Sequence, residues 1–279
     1  MKILLRFFYD NILKKNKFFR EIAVQIYYYS GYPIYIFYKI LKRPYIGSYL
    51  FSDQEAGRNR LNLIRSILKK INKKKLNILE LGVYCGQNTL SISGLNQNSK
   101  VSHYCVDIFR DYSVSDTNDD FRYKKYKENL KNKKVYKLFL HNLESIKRKN
   151  KNIKFFIKKK TTEDFFLNNL IKFDLIIIDA SHKFDYVYKD IISSKKSLID
   201  NGFIVGDDYE IEAKNLSTTT LEKNKNSDLI YSKRYNKSYH PGVTLAVKKN
   251  FKNLKSRNGL FCLQKKNNIF IDFFKVHKK

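Results

Sequence analysis

The stretch Asn77-Ile-Leu-Glu-Leu-Gly-Val-Tyr-Cys-Gly-Gln-Asn-Thr89 decides how this chain is read. An apolar run carrying Glu80 near its end breaks at Gly82, reaches a second glycine at Gly86, and resumes as Thr89-Leu-Ser-Ile-Ser93, a helix start. Strand, glycine turn and helix in that order bring bare backbone and a helix N-terminus up to a nucleotide-like ligand. On this reading Gly82 keeps the ligand's space free of a Cβ. The spacing is not the G-x-G-x-x-G of dinucleotide binders.

Working outward, apolar runs alternate with helical patterns. Strands are expected over 78–83, 101–108, 153–158, 174–179 and 203–206. Helices are expected over 58–70, 121–134, 138–147, 162–170, 186–199 and 241–250, with Asn201-Gly202 ending the fifth. Asp174-Leu-Ile-Ile-Ile-Asp179 is apolar between its two acids, as in a central strand covered on both faces. Residues 210–237 read as a long polar loop over the site. Residues 260–264 and 269–274, split by Lys265-Lys-Asn-Asn268, read as a terminal hairpin. Alternating β and α predict an α/β fold: a mostly parallel sheet, helices on both faces, and a closing antiparallel hairpin. Residues 1–52 are a basic, aromatic N-terminal extension, and residues 53–279 the catalytic domain.

Ligands of open α/β sheets bind at the carboxyl ends of the strands. In order, those ends carry Glu80-Leu-Gly82, Asp107, Thr161-Thr162, Asp179-Ala-Ser-His182 and Asp207-Asp208. Asp107 suits two ribose hydroxyls, or else caps the next helix. Asp179, Asp207 and Asp208 offer carboxylates on neighbouring strand ends, the oxygen set a hard cation such as Mg²⁺ takes. With no Lys or Arg beside them, adjacent carboxylates repel unless a cation or proton sits between. His182, three residues after Asp179, is placed to take a proton from a substrate hydroxyl.

Glu80-x-Gly82-x-x-x-Gly86 after a first strand resembles motif I of class I S-adenosylmethionine (SAM)-dependent methyltransferases. Ile178-Asp-Ala-Ser-His182, Asp190, Leu198-Ile-Asp-Asn-Gly-Phe-Ile-Val-Gly-Asp-Asp-Tyr209 and His240-Pro-Gly-Val-Thr-Leu-Ala-Val247 follow in order. Together they resemble the methyltransferase family 24 domain, a group similar to macrolide sugar O-methyltransferases and cephalosporin hydroxylase-like proteins. The resemblance spans roughly residues 54–275. It implies a Rossmann-like, seven-stranded class I methyltransferase sheet. It also implies SAM bound through Glu80, Gly82, Gly86 and Asp107, with Thr161 or Thr162 near the adenine. Mg²⁺ would sit on Asp179, Asp207 and Asp208, with His182 as the base. The chain departs from that pattern at Asp207, where those enzymes often carry Glu, and at Ala180-Ser181, where they often carry Gly-Asp. The implied activity is O-methylation of a sugar hydroxyl on a glycan or glycosylated metabolite.

Composition sets the competing readings. Hydrophobic residues make up 43% of the 279, enough for a core. A net charge of +30 invites a nucleic-acid methyltransferase. Yet the charge is spread along the chain, Lys far outnumbers Arg, and the slot for an N/D-P-P-Y motif holds Asp179-Ala-Ser-His182. A small-molecule or glycan acceptor is therefore expected, with nucleic-acid binding weak and non-specific. A non-catalytic membrane-peripheral protein is opposed by the intact set of strand-end acids. The cysteines Cys85, Cys105 and Cys262 have no CxxC spacing, which points to buried thiols in a reducing cytoplasm. Residues 1–10 lack a signal-peptide pattern. Residues 23–41 are interrupted by Gly31-Tyr-Pro33 and too polar to span a bilayer. They are expected to cap the domain or, as a helix pair, to contact a membrane peripherally. The oligomeric state is not legible in the sequence.

Overall fold

The computed structural model describes residues 17–53, 58–93, 99–110 and 121–276. The readings of residues 1–10 and of a domain start near Gln54 lie outside them. The chain forms two compact units: residues 57–83, 91–108 and 150–279 make one, and residues 1–56, 84–90 and 109–149 the other.

The larger unit is built on a seven-stranded sheet. Its strands are β1 (Lys75–Leu81), β2 (Lys100–Val106), β3 (Ile153–Lys158), β4 (Phe173–Ile178), β5 (Leu198–Gly206), β8 (Phe261–Lys266) and β9 (Ile269–Asp272). Their order is β3-β2-β1-β4-β5-β8-β9. The first five run parallel, while β8 pairs with β5 and β9 with β8 antiparallel. The winding direction reverses between β1 and β4, the switch point at which α/β sheets hold ligands. This is the Rossmann-like methyltransferase sheet that the motifs imply.

Side-chain alternation explains the two covered faces. Ile78, Leu175, Ile177, Phe203 and Val205 face the helix Arg58–Ile71, whose Ile64, Ile67 and Leu68 are buried against them. Leu79, Leu81, Ile176, Ile178 and Ile204 face the opposite side. There they meet Val187 and Ile191 of the helix Phe184–Ser197, and Val243, Ala246 and Val247 of the helix Pro241–Asn250. Burying each such side chain contributes about 1.5–3 kcal/mol.

Two expectations need correction. The helix ends at Ser197 and β5 begins at once, so Asn201-Gly202 lies within β5. There Asn201 takes φ +62°, and the pairing with β4 shifts between Phe173 and Leu175. Residues 210–237 are not a structureless loop. They hold a 3-10 turn at Ala213–Asn215, the helix Thr218–Lys223, and the strand β6 (Ile230–Ser232), which pairs with β7 (Lys237–Tyr239). Ile211, Leu221, Tyr239 and Leu245 form their own small core.

In the smaller unit, helix α1 (Lys17–Ile40) runs unbroken through Gly31-Tyr-Pro33, which replaces the expected helix pair. Proline forfeits one helix hydrogen bond, and packing on the inner face makes up the loss. Tyr28, Gly31 and Tyr35 line that face. The Tyr28 hydroxyl donates to Asn129 Oδ1 at 2.9 Å, and its ring lies 5.1 Å from that of Phe51. Asn142, on the helix Lys134–Lys149, accepts from Tyr45 N and donates to the carbonyls of Tyr45 and Cys85. Gly86 takes φ +84°, and a Cβ there would lie 2.9 Å from the Phe139 ring.

Candidate active site

The β1 and β2 ends of the sheet join through backbone. Gly82 N donates to Val106 O at 2.9 Å, and Val83 N donates to the Asp107 carboxylate at 2.8 Å. Asp107 therefore fixes the glycine turn. Gly82 has φ +79°, and a Cβ there would stand 1.9 Å from the Asp179 carbonyl oxygen. The glycine is thus required by the close approach of the β1 end to the β4 end. Glu80 is fully buried and lies 2.9 Å from His103 Nε2 on β2. Thr161 caps the helix Thr162–Leu167 by accepting from Asp164 N, and the Thr162 hydroxyl binds Asp190. Both threonines at the β3 end are engaged in local structure. Asp190 is buried with that neutral partner, and burial raises its carboxyl to about 7.

At the β4 and β5 ends the groups are charged side chains. One oxygen each from Asp179, Asp207 and Asp208 lie within 4.8 Å of one another. The structure does bring these three acids together, but the premise that no Arg or Lys accompanies them was wrong. Arg60, at the start of the helix Arg58–Ile71, places Nη1 at 3.2 Å from Asp179 and pairs Nη2 with Asp207. It lies 119 residues from Asp179 in sequence, beyond the reach of any local pattern. Even so, burial holds Asp179 at about 7, with Arg60 and His182 pulling it down and Asp208 pushing it up.

Asp208 takes φ +59°, and its carboxylate lies against His182. His182 Nε2 lies 2.9 Å from Asp208 and Nδ1 lies 2.5 Å from Asp228. Burial works to lower the His182 pKa, but the two carboxylates outweigh it and raise it well above the ordinary 6.5. Burial likewise opposes ionised Asp208, yet the hydrogen bond and charge of His182 bring it down to about 2. The His240 ring centroid lies 4.3 Å from that of His182, and its Nδ1 is 2.8 Å from Glu210. Gly242 lets the helix Pro241–Asn250 close on this turn, since a Cβ would stand 2.3 Å from the His182 carbonyl oxygen. Asp228, Glu210 and the role of His240 were missed in the sequence. The motif containing His240 was the available signal, whereas Asp228 stands in a stretch without one.

A cavity of about 10 Å³ lies among Asp179, His182, Asp207 and Asp208, room for one small ion or water. Three carboxylate oxygens around such a space fit a hard divalent cation. Arg60, with a single positive charge, competes for two of the same carboxylates.

Residues 79–209 match a family model described as a methyltransferase domain. No curated protein matches the chain. Among solved structures, NovP, described as an O-methyltransferase, is similar at 13% identity over 76% of this chain and 81% of its own, with a TM-score of 0.45. An O-methyltransferase from Bacillus cereus in complex with SAH is similar at 14% identity over 70% and 67%, with a TM-score of 0.41. A Klebsiella pneumoniae protein described as an O-methyltransferase is 15% identical, with a TM-score of 0.37. This chain covers 57% of the length of that protein.

Proposed function

We propose that this SAM-dependent methyltransferase domain transfers a methyl group to a sugar hydroxyl of a glycan or glycosylated metabolite, assisted by Mg²⁺. The observation that carries the reading is the charged cluster on two neighbouring strand ends: Asp179, Asp207 and Asp208 around a space for one ion, with His182 2.9 Å from Asp208. The order of the motifs from Asp179 to Val247 supports the sugar class of acceptor.

In this reading Glu80, Gly82 and Gly86 would hold SAM at the β1 and β2 ends. Asp107 would accept from the ribose, and Thr161 or Thr162 would stand near the adenine. Asp179, Asp207 and Asp208 would hold the cation in the place Arg60 takes beside Asp179 and Asp207. When bound, the cation lowers the pKa of the acceptor hydroxyl. The acceptor oxygen attacks the sulfonium methyl in line, the C–S bond breaks, and S-adenosylhomocysteine leaves. The hydroxyl proton would go to Nε2 of His182 once Asp208 has left that nitrogen to join Asp179 and Asp207, which removes a charge that keeps the ring protonated. Asp228 would hold Nδ1–H, select the tautomer and stabilise the imidazolium that forms. We also place the protein in a reducing, cytoplasmic compartment, where the buried, unbridged Cys85, Cys105 and Cys262 remain thiols.

The test is calorimetric titration of SAM with and without Mg²⁺, followed by transfer of labelled methyl from SAM to a panel of sugar acceptors. Donor binding with label on a sugar oxygen is the expected result. Label on RNA, or full transfer in excess EDTA, would overturn the acceptor or the metal respectively.

A further inference from the structure

Helix α1 is apolar on the side it turns away from its own unit. Its inner face carries Tyr28, Gly31 and Tyr35, all buried. On the opposite side Phe19, Ile22, Ile26, Phe37 and Ile40 stand in one stripe at helical spacing, and every one is exposed, Ile40 by 72% and Ile26 by 65%. Tyrosines border the stripe: Tyr29 and Tyr32 on one edge, Tyr27 and Tyr38 on the other, all exposed. An isolated exposed apolar residue needs no explanation, but two apolar clusters on one face of a 24-residue helix, Phe19–Ile26 and Phe37–Ile40 on either side of Ser30 and Pro33, mark a surface that something covers.

Charge selects the occupant. Lys39, Lys42 and Arg43 are exposed at the C-terminal end, and Lys125 Nζ lies 5.9 Å from the Tyr29 ring at the border. Within α1 the one acid is Glu21. A second copy of a chain carrying +30 would be repelled, whereas an anionic lipid surface would be attracted. An aliphatic and phenylalanine stripe, tyrosine borders and flanking bases are what an interfacial helix needs. The stripe enters the acyl boundary, the phenols sit among headgroups, and lysines reach the phosphates. No helix among the described residues is long and apolar enough to cross a membrane, so the helix would lie along the surface.

We infer that the outward face of α1 docks the protein onto anionic lipid bilayers. This surface is independent of the methyl-transfer reading and would hold if that reading failed.

The experiment is co-sedimentation of the full-length protein with vesicles of phosphatidylglycerol and phosphatidylcholine, or of phosphatidylcholine alone. Three exposed bases predict a preference for the anionic vesicles on the order of a hundredfold at low salt. Ile26→Glu/Phe37→Glu, two changes at exposed positions, should remove binding while circular dichroism and melting stay unchanged. Lys39→Gln/Lys42→Gln/Arg43→Gln should erase the lipid preference and leave weak binding to both vesicle types. Undiminished binding of Ile26→Glu/Phe37→Glu would mean diffuse adsorption of a basic protein and would overturn the proposal. So would a dimer in sedimentation equilibrium that dissociates in Ile26→Glu/Phe37→Glu, since a second copy would then cover the face.

Discussion

The two sides of the switch point between β1 and β4 are built in opposite ways. On the β1 and β2 side the chain presents backbone, with Gly82 bonded to Val106 and a single carboxylate, Asp107, pinning Val83. On the β4 and β5 side it presents charged side chains packed on one another: Asp179 and Asp207 on Arg60, and Asp208 and Asp228 on His182. A backbone turn is specified by its own few residues. A cluster of like charges exists only where opposite charges arrive from elsewhere, because buried carboxylates alone would take up protons. Burial takes Asp190, with a neutral partner, to about 7 and takes Asp179 there too despite Arg60, whereas Asp208 against His182 falls to about 2.

The largest expected effect falls on the charged side. His182→Ala should lower kcat by about a hundredfold or more, the scale for losing a positioned base, and should erase the acidic limb of the pH–rate profile. Donor affinity should not change. A wild-type rate in this variant would move the chemistry away from β4 and β5.

Asp190 offers a pH test of the difference between paired and unpaired carboxyls. Its folded pKa of about 7 lies above the unfolded value, so the folded state binds the extra proton between them. Its contribution to stability is complete below about pH 4 and is lost as pH rises through 7. Asp190→Asn should therefore be more stable than wild type at pH 8, by roughly 2–4 kcal/mol, and nearly equal at pH 4.5. Urea denaturation at the two pH values measures it. An equal effect at both would mean that the carboxyl titrates normally.

The backbone side is tested by Asp107→Ala, which should weaken SAM binding by about 10–100-fold in calorimetry, the worth of a charge-assisted hydrogen bond. Gly82→Val is a poorer probe, since its Cβ would strike the Asp179 carbonyl and disturb both sides at once. If Asp107→Ala binds SAM as wild type does, the glycine turn is not the donor site.

Arg60→Met carries the smallest expected change and the sharpest diagnosis. With its competitor removed, the acid cluster should bind Mn²⁺ about tenfold more tightly by electron paramagnetic resonance, a shift of about 1.4 kcal/mol. Its melting temperature should also become more dependent on added cation than that of the wild type. Unchanged Mn²⁺ affinity would show that Arg60 and the cation do not share a place.

Much of the architecture was legible because it rests on periodicity. The central run Asp174–Asp179, the β3 segment Ile153–Lys158 and the proline-opened helix Pro241–Asn250 were readable from local pattern and emerged as expected. Reading failed where tertiary contacts overruled local signals. Pro33 did not break α1, because Tyr28 and Tyr35 anchor the helix on both sides of it. Asn201-Gly202 punctuates a strand rather than ending a helix, and the polar stretch after Glu210 hides a hairpin that buries Tyr239. In the site, the acids and His182 were visible at strand ends, but Arg60 and Asp228 were not.

The sequence by itself determined which groups stand at which strand ends, since Glu80 stands near the end of the β1 apolar run, and Asp179 and Asp207 directly follow those of β4 and β5. Only the tertiary structure decided their electrostatics. A distant helix delivers Arg60, 119 residues before Asp179, and a loop delivers Asp228, 46 residues after His182. Residue order sets positions along the chain, whereas the charge state of a buried carboxylate depends on what surrounds it in space.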